Sequence, residues 1–160
     1  MDYLNEAFIA LRAGDAYVRI VGMLLERAFR CGRHFRLQFD RQRLLKYVGA
    51  EEFARVLPMD PAETKSKTKT PLDIYLGELT PERAEVLERW LVSGATNEIE
   101  TVSVLAADGH LLLRANDSIS FVLFDLPETE RASFFAELKR MDVPAASVSQ
   151  IDVDVSRLVP

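Results

Sequence analysis

The sequence predicts an α+β protein in which a helical N-terminal region packs on a mostly antiparallel sheet with two helices on one face. Three observations lead there. Apolar residues recur first at helical and then at strand spacing. Glycines, prolines and capping residues punctuate the periodic runs. From Leu72 onward the order reads strand, helix, strand, strand, helix, strand, which is the ferredoxin-like βαββαβ order if His110 to Phe124 is one strand, or that order with an extra strand if Asn116-Asp117 is a turn.

At the start, Leu4, Phe8 and Leu11 share one helical face, and Gly14 is placed to end that helix. Asp15 then stands as an N-cap. Tyr17, Ile20, Val21, Leu24, Leu25, Ala28 and Phe29 follow at helical spacings, with Arg19, Glu26 and Arg30 on the opposite face and Gly32 as a stop. Phe35, Leu37 and Phe39 alternate with Arg36 and Gln38, a half-buried strand. Asp40 can cap a short helix through Leu44, Leu45 and Val48, ended by Gly49. A further turn or two runs from Ala50 to Leu57.

Residues 58–71 carry three prolines and alternating Lys/Thr/Ser, with almost nothing to bury. They divide the chain into a mainly helical region 1–57, a flexible loop 58–71, and a sheet-and-helix region 72–160, the two outer regions forming one compact unit. In the last region Leu72, Ile74 and Leu76 alternate as a strand. Thr80-Pro81-Glu82 opens a helix with a cap, a first-turn proline and a first-turn acid. Ala84, Leu87 and Leu91 form its buried stripe, flanked by Val86 and Trp90. Ile99 to Ala106 and His110 to Ala115 read as strands around the Asp108-Gly109 turn. Phe121 to Phe124 is apolar on both faces and belongs inside the sheet. Phe134, Phe135, Leu138 and Met141 mark a second helix, and Ile151, Val153 and Val155 a last strand.

Composition narrows the function. With 160 residues and 48% apolar side chains, the chain needs neither disulfide nor metal to build a core. Cys31 is the single cysteine, His34 and His110 are isolated, and no apolar run approaches a membrane span. A reducing, cytoplasmic setting is the expectation. No phosphate-cradling glycine loop, nucleophile elbow or paired-histidine helix is present, so no cofactor, metal or catalytic residue is assigned. Asp152 and Asp154, with Asp125, read as the wet face of a sheet more readily than as metal ligands. Cys31 reads as a small core residue rather than a reactive thiol.

Charge is the informative feature. The net charge is −5, yet residues 1–70 hold 13 Lys/Arg against 9 Asp/Glu, while residues 71–160 hold 7 against 16. Such halves either present two binding surfaces or complement each other when docked. Arg27, Arg30, Arg33 and Arg36, within the basic segment Arg27–Lys46, are candidate phosphate or nucleic-acid contacts, with Lys65, Lys67 and Lys69 as a flexible supplement. Glu78, Glu82, Glu85 and Glu88 are a candidate acidic surface for a protein partner. The leading expectation is a non-enzymatic adaptor, regulator or inhibitor that binds a protein through charged surfaces. Nucleic-acid or nucleotide binding through Arg27–Lys46 comes second, and an enzyme with a dispersed site third.

Overall fold

A computed structural model describes residues 3–11, 17–57, 72–93, 98–116, 121–143 and 148–154. Its first segment differs from expectation. Tyr3–Leu11 is a strand, β1, and not a helix. A spacing of four, as from Leu4 to Phe8, satisfies one helix face and one strand face equally, since four is a multiple of two. The run Ala7-Phe8-Ile9-Ala10-Leu11 is apolar at every position, which suits a strand flanked on both sides, and β1 lies between two others.

The remaining elements are α1 (Tyr17–Cys31), β2 (His34–Phe39), α2 (Arg41–Val48), α3 (Ala50–Val56), β3 (Asp73–Glu78), α4 (Pro81–Ser93), β4 (Ile99–Leu105), β5 (Leu111–Asn116), β6 (Phe121–Phe124), α5 (Glu128–Arg140) and β7 (Val148–Asp154). Among the described residues, five helices thus accompany an open antiparallel sheet. Its five-stranded body runs β3-β2-β4-β5-β6, and β1 then β7 extend it beyond β6. His110 to Phe124 is therefore two paired strands. The ferredoxin-like order is not the one observed: β2 lies between β3 and β4, and β1 between β6 and β7. β3, which opens the expected βαββαβ unit, instead ends the described sheet at its edge, next to β2.

Local chemistry sets the ends of these elements. Asp40 accepts a hydrogen bond from the Arg43 amide (3.0 Å) as the cap of α2, and Thr80 Oγ1 accepts from the Arg83 amide (3.2 Å) as the cap of α4. Gly49 turns α2 into α3 at φ +86°, a left-handed value that favours glycine. Gly109 takes the same φ in the β4–β5 turn. At the α1–β2 junction, a Cβ on Gly32 would stand 2.9 Å from the Ala28 carbonyl, so the strand leaves the helix too closely for any side chain.

One face of the sheet carries the core. Phe35, Leu37 and Phe39 of β2 align with Val104, Val102 and Ile99, then with Leu113 and Ala115, and then with Phe124 and Val122. These meet Ile20, Leu24 and Leu25 of α1, Leu87 and Trp90 of α4, and Phe134 and Leu138 of α5. Phe39 packs edge-on against Phe53, and Phe124 against Phe134. The two helices expected on one face, α4 and α5, lie on either side of α1. Each large side chain so buried contributes about 1.5–3 kcal/mol. No helix among the described residues is long and apolar enough to cross a membrane.

Candidate functional site

The basic segment is dispersed. Arg27 is 6% exposed and donates to Glu137 Oε2 at 2.6 Å, to Ser133 Oγ and to the Met23 carbonyl, with its guanidinium 5.9 Å from the Phe134 ring centre. Arg30 bridges Glu26 and Glu130 at 3.1 and 3.4 Å. Arg33 is exposed where β2 begins, its amide and carbonyl bonded to Leu105 and Leu79. Arg36 projects from mid-β2 to the face away from the helices, because Phe35 and Leu37 on either side point into the core. Arg41 pairs with Asp73 at 2.6 Å and Arg43 with Glu98 at 3.5 Å. Lys65, Lys67 and Lys69 lie outside the described residues.

The acidic candidates divide as well. Glu82 is held by Arg55 at 3.0 Å, while Glu85 is exposed on α4. Glu88 is half-buried, and burial first and Glu26 second push its carboxyl above the usual range. Glu78 ends β3 exposed, and its carbonyl accepts from Arg83 Nη1 at 2.8 Å.

Sequence reasoning misses the side of β3. Leu76 counts there as an ordinary alternating apolar residue, yet it is 62% exposed, while Tyr75 is the side chain that packs against Phe35. β3 is the outermost strand at its end of the described sheet. The Leu79 amide bonds the Arg33 carbonyl at 2.8 Å, and Glu78 pairs with His34 in register. Ladder bonds in an antiparallel pair alternate, so Gly77, Tyr75 and Asp73 bond toward β2. Ile74 and Leu76 then turn their N–H and C=O groups outward, beside an exposed leucine.

The row continuing inward from Leu76 reads Arg36, Ser103, Arg114 and Leu123 on successive strands. Paired residues share a face, so all five project away from the helices. Burial lowers the pKa of both arginines, and Arg36 adds to the effect on Arg114. Sequence reasoning also misses Arg114, although an arginine interrupting the apolar run Leu111–Ala115 is a visible signal.

Comparison with protein-family models, curated proteins and solved structures finds no match to this chain. Function therefore rests on the geometry. The described residues hold no cluster of three His, Cys, Asp or Glu side chains that could bind a metal ion. His110 Nε2 meets Asp125 Oδ2 at 2.8 Å across the exposed end of the β4–β5 hairpin. The Cys31 thiol is pushed up by burial and by Glu130, against a smaller lowering by Arg30, and such a thiol is a poor nucleophile. A groove of about 370 Å³ runs between α1 and the start of α4, with Phe29 and Leu79 on its wall and Arg33 on its rim.

Proposed function

We propose that this chain is a non-enzymatic protein-binding module that receives an extended segment of its partner along the outer side of β3. The carrying observation is the exposed Leu76 beside outward-turned backbone groups on an edge strand. Adding a strand to such an edge gives affinity through main-chain hydrogen bonds and specificity through alternate side chains. The partner segment would be apolar opposite Ile74 and Leu76. It would be basic where it passes Glu78 and the first turns of α4, whose Glu82 and Glu85 supply negative charge.

Dispersal of the arginines supports the same reading. Arg27 and Arg30 are engaged by acids of α5 and α1, and Arg36 lies on the opposite face of the sheet. These do not form one continuous track for a phosphate backbone.

The test places a photo-cross-linking residue at position 76 and, as a control, at Tyr47, which is exposed on α2. The expected result is a discrete protein adduct from position 76 only. It should be lost with Ile74→Pro and weakened by Glu85→Lys. Equal adducts from both positions, or none, overturn the reading. A parallel titration with mixed-sequence nucleic acid, at low and moderate salt, uses an Arg30/Arg33/Arg36→Glu variant. Salt-sensitive binding that disappears in this variant would put nucleic-acid recognition first.

A further inference from the structure

The face of the sheet turned away from the helices has a feature that the β3 edge does not use. Arg36 on β2 and Arg114 on β5 stand in register on either side of Ser103 on β4. Two strand spacings separate their backbones by about 10 Å, and two arginine side chains span that distance with ease. The charges are close enough for Arg36 to act on Arg114, and both are partly withdrawn from water. The row itself contains no acid. Arg36 forms no ion pair among the described residues.

The bed beneath is polar. Ser103 and Thr101 are each 4% exposed, and Thr101 pairs with Gln38. Elsewhere in the five-stranded body, buried strand positions are apolar. Buried hydroxyls on neighbouring positions of one face, flanked by two cations, depart from that rule. Guanidinium groups present planar forks of N–H donors that match an oxyanion bidentately.

We propose that this face binds a phosphate-type oxyanion between Arg36 and Arg114, above Ser103. The ligand is compact: one tetrahedral group, free or at the end of a small phosphomonoester, rather than a polymer. The site stands independently of the strand-addition reading, because Leu76 and the outer side of β3 take no part in it.

The experiment follows amide NMR shifts of the whole chain during titration with inorganic phosphate and with adenosine monophosphate, at constant ionic strength. Saturable shifts centred on Arg36, Ser103 and Arg114 are expected. Equal affinities would mean that the phosphate group alone is recognised, and tighter monoester binding would mean that a small organic phosphate is. Arg36→Gln should weaken binding roughly tenfold or more, the loss of a charge-assisted pair. Arg36→Lys, which keeps the charge without the fork, should fall between. Arg33→Gln, at the far end of β2, should change nothing.

Three results overturn the proposal. One is shifts that do not saturate. Another is binding unaltered in a folded Arg36→Gln protein. The third is much tighter binding of a mixed-sequence oligonucleotide that depends on Arg30 and Arg33 instead.

Discussion

Arg27 shows how a single residue can be misjudged by its charge. In sequence it belongs to a basic run, but in space it is a core residue with a guanidinium at one end. Its guanidinium lies over the Phe134 ring and is satisfied mainly by Glu137, with Glu130 at 3.9 Å. Removing the two partners has unequal consequences. Glu137→Ala leaves a buried cation short of its principal acceptor, which costs about 1–3 kcal/mol. Arg27→Met leaves a carboxylate that is already partly in water and places an apolar chain on an apolar ring. It should change stability by less than about 1 kcal/mol. Urea unfolding of the two variants measures the difference, and equal losses would show that the pair contributes symmetrically.

At the scale of elements, α1 and α4 bring together two acids, Glu26 and Glu88. Glu88 has a raised pKa, so the folded state holds that proton more tightly than the unfolded chain. Stability from this group is present at low pH and declines as pH rises from the unfolded to the folded pKa. Glu88→Gln should therefore stabilise the protein at neutral pH, with the advantage vanishing in acid. A pH series of urea midpoints tests this, and a constant difference across the series would contradict it. The helices of this layer were legible because their signals are local: Asp40, Gly49 and Thr80 cap where their chemistry says they should. β1 was not, because Leu4 and Phe8 fit both periods and only pairing with β6 and β7 decides between them. The same limit hid the candidate sites. Leu76 looks inward by alternation, whereas Gly77 lacks a side chain and a Cβ there would collide with the Tyr75 ring. Arg36 and Arg114 are far apart in sequence, and only the sheet register makes them neighbours.

For the whole molecule, the opposed charges of the two halves largely satisfy each other. Arg27–Glu137, Arg30–Glu130, Arg41–Asp73, Arg43–Glu98, Arg55–Glu82 and Arg89–Glu52 all join the first half to the second. The exposed pairs among them, such as Arg55–Glu82, contribute about 0–1 kcal/mol each and are screened by salt. A net charge of −5 gives self-repulsion that salt would relieve, but it is spread over the whole surface. The pairs should dominate, so the urea midpoint should fall as sodium chloride is raised; a rise would show that repulsion outweighs them. The strand order also has a consequence in time. β4, β5 and β6 are joined by short connections and pair with their immediate successors, whereas β1 must wait for β6, with Leu11 opposite Phe121. On the ribosome β1 thus emerges before its partners and is among the last strands to dock. Until then its apolar run stays unpaired, at the mercy of whatever else in the cell recognises an unfinished edge.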